Sequence, residues 1–425
     1  MSITRFADLS LDRPLLSAVT EQGYTTPTEI QRNSIPHALA GRDLLAVAPT
    51  GTGKTAAFTL PMLQHLSKKP GNRAIRALVL APTRELALQV NEAVTVYGKH
   101  LKLTSAVIMG GVNMNPQIRS LRRGVDILVA TPGRLLDLMN QGHVKLDRVE
   151  FFVLDEADRM LDMGFIHDVR KIASKVPTHR QTLFFSATMP APVAELAHTL
   201  LRDPARVDVA PVAAENTPQI EQRLMFVGNG DKQALLIDLL RKNSQGRILV
   251  FARTKHRADR VARKLNQSGI RAEAIHGNKT QGARVRTLED FTSGRLRVLV
   301  GTDIVARGID VDGISHVINF DLSDEPENYI HRIGRTARAG ATGKAVSFCD
   351  PDEFTKLRQI ERLIGGPIEI DATHAWHIDG VAQRREPQRP AARQSGQRPQ
   401  GPRKPRWQHS RRGPRGSRRQ PALMA

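Results

Sequence analysis

The run Ala48-Pro49-Thr50-Gly51-Thr52-Gly53-Lys54-Thr55 carries the residue types that a polyphosphate needs. Gly51 and Gly53 let backbone N–H groups approach phosphate oxygens, with Thr50 and Thr52 completing the loop, and a helix starting beyond them adds its dipole. Lys54 would neutralise the β- and γ-phosphates, and the Thr55 hydroxyl would ligate Mg²⁺. Ala48 stands where the simplest form of such a loop has its first glycine, so that position needs no positive φ. Downstream, Asp155-Glu156-Ala157-Asp158 follows the apolar run Val149 to Leu154. Acidic groups just past the C-terminal end of a buried strand lie where open α/β sheets bind ligands. Asp155 can hold the Mg²⁺ shell, and Glu156 can orient and deprotonate an attacking water. A third run, His331-Arg332-Ile333-Gly334-Arg335-Thr336-Ala337-Arg338, puts arginines three apart, on one face if the segment is helical. Arg335 and Arg338 are the candidates for stabilising a phosphoryl-transfer transition state from across a cleft. Taken singly, a glycine turn, an acid-capped helix start and a surface arginine face would account for the three runs. Together they describe ATP hydrolysis.

The elements that must position these groups are legible as short apolar runs. Leu44–Val47, Ala77–Leu80, Val125–Val129, Phe151–Leu154 and Gln181–Phe185 alternate with amphipathic stretches in the first half. Arg247–Phe251, Ala272–Ile275, Val298–Val300 and His316–Asn319 do so in the second. Buried parallel strands separated by helices read this way. They predict an α/β fold with two tandem parallel-sheet domains, residues 1–209 and 219–370, joined by a proline-bracketed linker at 210–218. Residues 371–425 are expected to be disordered, since from Val381 onward Pro, Gln, Gly and Arg replace apolar residues.

With the P-loop before it, Asp-Glu-Ala-Asp after such a strand resembles the DEAD-box family of RNA helicases, and the likeness runs from Phe6 to about Ala345. It implies two RecA-like domains and ATP and Mg²⁺ as cofactors. Gly23–Gln31 is similar to the family's Q motif, which implies that Gln31 reads the adenine edge and Phe6 packs on the base. Glu29 replaces the proline usually found there. Pro82-Thr83-Arg84-Glu85-Leu86, Gly110-Gly111 and Thr131-Pro132-Gly133-Arg134 are similar to first-domain RNA-binding motifs. His276-Gly277 with Gln281 and Arg284, and Thr302 in Gly301-Thr302-Asp303, resemble the opposite wall of the RNA groove. Ser186-Ala187-Thr188 resembles the motif that couples nucleotide state to closure through hydroxyl bonds to Asp158, and His331 would share that coupling. Asp310 would accept hydrogen bonds from the ATP ribose. Ala337 stands where most of the family has glycine.

The net charge is +21, which favours polyanions through counterion release. Thirteen Lys and Arg against the single acidic Glu386 fall between Val381 and Ala425, so the tail would add RNA affinity without base specificity. Trp407 within it could stack on a base. The lone cysteine, Cys349, the absence of a signal-peptide pattern and the lack of a long apolar run suggest a cytoplasmic protein. The resemblance implies a monomeric, sequence-tolerant RNA helicase of a bacterial RhlE-like branch, acting on single strands or short duplexes in ribosome assembly or mRNA decay. A DNA motor, a non-enzymatic RNA scaffold and an ATP-gated clamp stay open alternatives.

Overall fold

A computed structural model describes residues 3–49, 51–69, 74–209, 220–243, 245–303, 311, 313–337 and 342–379. These fall in one compact unit, Met1–Ala382. The linker at 210–218, the tail from 380 onward, Thr50, Asp310 and Arg338 lie outside the described residues.

The first half builds a seven-stranded, wholly parallel sheet from β1 (Leu44–Val47), β2 (Ala77–Leu80), β3 (Ser105–Ile108), β4 (Ile127–Ala130), β5 (Phe151–Leu154), β6 (Gln181–Ser186) and β7 (Ala205–Asp208). Their order is β3-β4-β2-β5-β6-β1-β7. The second half repeats the plan with β8 (Ile220–Phe226), β9 (Arg247–Phe251), β10 (Ala272–Ile275), β11 (Val298–Gly301), β12 (Ile314–Asn319), β13 (Gly343–Cys349) and β14 (Glu369–Ile370). Its order, β10-β11-β9-β12-β13-β8-β14, matches the first place for place. These are two tandem RecA-like domains.

Successive side chains of a strand point to opposite faces, and helices cover both faces of each sheet. In β2 and β5, Ala77, Val79, Phe151 and Val153 join one core cluster. Leu78, Leu80, Phe152 and Leu154 join the cluster on the other face. That double burial is why these strands read as unbroken apolar runs.

The sheet order divides each C-terminal edge into two halves. Loops after β3, β4 and β2 are neighbours and hold Gly110-Gly111, Thr131–Arg134 and Pro82–Arg84. Loops after β5, β6 and β1 are neighbours and hold Asp155–Asp158, Ser186–Thr188 and the P-loop. The expected polar tail starts too early at 371. Asp371 N donates to Leu224 O at 2.8 Å, Ile378 N to Phe226 O at 3.3 Å, and His377 bridges Val227. Ile378 and Trp376 supply apolar cover that a polar-tail reading of this stretch overlooks.

Candidate functional site

The P-loop leaves β1 and enters the helix Lys54–Ser67 through Gly51 and Gly53, whose φ values of 82° and 92° are left-handed. Ala48 has no such φ. The positive φ at Gly53 favours glycine, and a Cβ there would displace the Gln31 amide from the loop. Gln31 closes a capping box with Thr28 at the start of the helix Glu29–Leu39. Its Oε1 accepts from Thr28 N at 2.9 Å, and its Nε2 donates to Gly53 O at 3.1 Å. Gln31 is therefore bound to the P-loop itself, a partner the sequence did not announce. Glu29 occupies the first helical position, where proline and acidic residues are both well tolerated. Phe6, expected on the base, is buried in the first domain's core.

Lys54 is buried and donates to Ala48 O at 2.8 Å, while Thr52 Oγ1 donates to Pro49 O at 2.8 Å. Asp155 and Glu156, both buried, sit beside Lys54. Burial pushes the Asp155 carboxyl up, the Glu156 charge adds to this and Lys54 opposes it, leaving a pKa of about 7. Burial acts in the same direction on Glu156, but the charges of Arg159, Lys54 and Arg335 outweigh it and hold its pKa below the ordinary value. Arg159 Nη1 donates to Glu156 Oε2 at 2.6 Å from one helical turn away. Glu156 itself adopts φ 52°, ψ 55°, a left-handed conformation that costs a non-glycine residue on the order of 1–3 kcal/mol. Asp155 Oδ1 is buried with no hydrogen-bond partner. A carboxylate oxygen so placed next to the P-loop suits the water shell of Mg²⁺.

Asp158 ties this loop to the next. Its Oδ2 accepts from Thr188 N at 2.8 Å, Thr188 Oγ1 at 2.9 Å and Ala187 N at 3.2 Å. Ser186 Oγ accepts from Asp158 N at 3.2 Å and donates to Thr188 O at 2.7 Å. One of the two expected hydroxyls thus bonds the Asp158 carboxylate, and the other its backbone.

From the second domain, His331 and Arg335 line a small cleft with Glu156, Asp158, Arg159, Asp162 and Ala187. The helix Pro326–Ile333 ends before Arg335, whose Nε donates to His331 O at 3.2 Å. Arg332 and Arg335 therefore do not share the helix face expected of them, because Gly334 caps the helix. Arg332 points inward, pairing with both oxygens of Asp303 at 2.6 and 2.7 Å and stacking over Phe251. Ala337 has φ 57°.

On the other half of the edge, Thr83 caps the helix Arg84–Tyr97 by accepting from Leu86 N at 3.3 Å. The Arg84 guanidinium lies against Gly110 and Gly111, and any Cβ at Gly111 (φ 73°) would collide with it. Arg134 Nη1 donates to Val112 O at 3.2 Å, which binds the third loop to the second. Thr131 and Pro132 open the helix Pro132–Asn140, and Gly133 is exposed with open space around it. Arg284 and His276, expected on the RNA wall, are buried against carboxylates instead. Arg284 Nη2 donates to Glu85 Oε2 at 2.6 Å, and Gln281 Nε2 to Glu85 Oε1 at 3.2 Å, so first and second domains meet there. His276 Nε2 lies 3.0 Å from Asp259 Oδ2. Gly277 follows with open space around it, and Thr302 is buried just past β11. The sequence placed Glu85 only within an RNA-binding run, not in a pair with Arg284, and gave no role to Arg159. Only the three-residue spacing of Arg159 from Glu156 hinted at one.

The family model described as DEAD/DEAH box helicase matches residues 28–196, and that described as helicase conserved C-terminal domain matches residues 231–340. The chain is 45% identical over 361 residues to the DEAD-box ATP-dependent RNA helicase CshA of Bacillus cereus, covering 85% of this chain and 68% of that one. It is 45% identical over 363 residues to the Bacillus subtilis CshA, covering 85% and 72%. The fold is similar to Saccharomyces cerevisiae Dbp5 bound to RNA and ADP BeF3, with TM-score 0.78, 34% identity and coverage of 86% and 95%. It is also similar to the DEAD-box helicase Mss116 bound to ssRNA and UDP-BeF, with TM-score 0.79, 28% identity and coverage of 90% and 82%.

Proposed function

The chain belongs to the DEAD-box ATP-dependent RNA helicase family, and we propose that its site is split, the first domain holding the nucleotide and the second completing the chemistry. It is an RNA-stimulated ATPase that couples ATP hydrolysis to remodelling of RNA. Lys54, Gly51, Thr52 and Gly53, with Thr50, hold the phosphates, and Gln31 stiffens the loop that does so. Thr55 and Asp155 would hold Mg²⁺, which would supply positive charge against the phosphates. Glu156, ionised among three cations, orients the attacking water and accepts its proton. Arg335 meets the transition state from the other side, with Arg338 and the ribose-binding Asp310 as its companions by resemblance. The observation that carries this reading is that His331 and Arg335 share a cleft with Glu156 and Asp158.

RNA lies along the other half of the edge, on Arg84, Gly110, Gly111, Thr131, Gly133 and Arg134, with Gly277 and Thr302 facing from the second domain. Arg284 and His276 act behind that surface. The bond between Thr188 and Asp158 ties the loop after β6 to the acidic loop of the nucleotide site. Because both the nucleotide site and the RNA surface span the two domains, RNA and ATP each favour the closed arrangement and hence each other's binding. Contacts made by backbone amides and guanidinium groups at strand ends suit phosphates and sugars, giving sequence-tolerant binding in which 2′-hydroxyls mark RNA. A monomeric core acting in the cytoplasm on ribosomal or mRNA-decay particles fits this chemistry, and no helix among the described residues is long and apolar enough to cross a membrane.

Steady-state ATPase activity with single-stranded RNA, with DNA of equal length and with neither tests the reading. Strong stimulation by RNA alone is expected. Equal stimulation by DNA, or none by either, overturns it.

A further inference from the structure

The place-for-place match of the two sheets puts Lys232 where Lys54 stands. Both follow the strand in the sixth place, β8 and β1, and both are the first residue of the helix that follows. Asp321 follows the fourth-place strand β12 as Asp155 follows β5, and Asp350 follows the fifth-place strand β13. Yet the loop before Lys232 has positive φ at neither Gly228 nor Gly230, so its backbone does not wrap as the P-loop does. Lys232 is 0% exposed, and its ammonium lies 2.5 Å from Glu353 Oε2, 3.2 Å from Asp350 Oδ2 and 3.6 Å from Asp321 Oδ1. The second domain's own carboxylates stand where phosphate would.

The network does not end there. Asp321 Oδ2 accepts from Arg253 N at 2.9 Å and pairs with Arg257 Nε at 3.0 Å, and Glu353 Oε1 accepts from Arg253 Nη2 at 2.6 Å. The Asp321 carbonyl accepts from Arg332 Nη1 at 2.6 Å, three residues before Arg335. We propose that Lys232 is the second domain's inward-turned phosphate-loop lysine, serving as a positioning residue that fixes Asp321 and through it the Arg332–Arg335 segment. Because it rests on the role given to Arg335, the experiment carries a control for that role.

Lys232→Met, the charge-balanced Lys232→Met/Asp350→Asn and Arg335→Ala are compared in the full chain by melting curve, kcat and KM for ATP at saturating RNA. The charge-balanced pair leaves Glu353 with Arg253 and Asp321 with Arg257, so no carboxylate is stranded. Both Lys232 variants should lose at least roughly tenfold in kcat, while KM for ATP, set by the intact first domain, stays within about twofold. A cooperatively melting variant with native kcat, or one in which KM rises in step, overturns the inference. If neither Lys232 variant melts cooperatively, Asp350→Asn alone decides: a smaller kcat loss is expected, and native kcat overturns the inference. Native kcat in Arg335→Ala would instead sink the role of Arg335.

Discussion

At the scale of single residues, the described parts of the active-site loops hold two non-glycine residues in the left-handed region, Glu156 and Ala337, and only the first has an evident compensation. Glu156 is left-handed because its carbonyl must start a helix while its carboxylate faces Lys54 and Arg159. Ala337 is left-handed with nothing comparable to gain. Its methyl group costs about 1 kcal/mol at a φ that glycine adopts freely. Ala337→Gly is therefore expected to raise the second domain's Tm by roughly 2–4 °C and to leave kcat equal or higher. A lower Tm would mean that the methyl group's packing outweighs the strain. The glycine-poor reading of that position was available from sequence, but the φ was not, since backbone angles follow from the turn that Gly334 begins.

Among elements, what the sequence disclosed depended on burial. β1, β2, β5, β9 and β10 match their runs residue for residue, and in β2 and β5 full cover on both faces leaves no polar gap. β7 and β8 gave no such run: β7 alternates on an exposed edge, and β8 opens with Ile-Glu-Gln-Arg beside the short β14. The P-loop and the acidic loop were legible because their residues are contiguous. The contact of Glu85 with Gln281 and Arg284 was not, since it joins segments almost 200 residues apart. That ion pair is buried between the domains, so removing one member strands a charge, at roughly 3–5 kcal/mol. Glu85→Gln or Arg284→Met should raise the KM for RNA at least about tenfold. The double variant should recover part of that loss. Unchanged KM for RNA in both single variants would show that the pair plays no part in closure.

For the molecule as a whole, we propose that the basic residues beyond Asp379 and the two-domain core divide the work of binding. The core would hold the strand through its phosphates and sugars, and the tail's thirteen cations would raise local RNA concentration. Ending the chain at Gly380 should raise the KM for RNA and flatten its salt dependence, with the log–log slope falling by about 0.7 for each phosphate that the tail would have neutralised. ATP turnover at saturating RNA should survive. An unchanged salt slope would assign RNA affinity to the core alone.

The order of strands also has a consequence during synthesis. β1, which carries the P-loop, is flanked only by β6 and β7, the last two strands of its domain to leave the ribosome. β8, which carries Lys232, likewise waits for β13 and β14. Each domain therefore encloses its lysine last, and a nascent chain shorter than Asp208 has a hydrophobic strand with no finished pair of neighbours and no finished place for ATP. The pocket beside the P-loop is therefore complete only once β6 and β7 have been made and paired with β1, so nucleotide could stabilise the first domain no earlier than that.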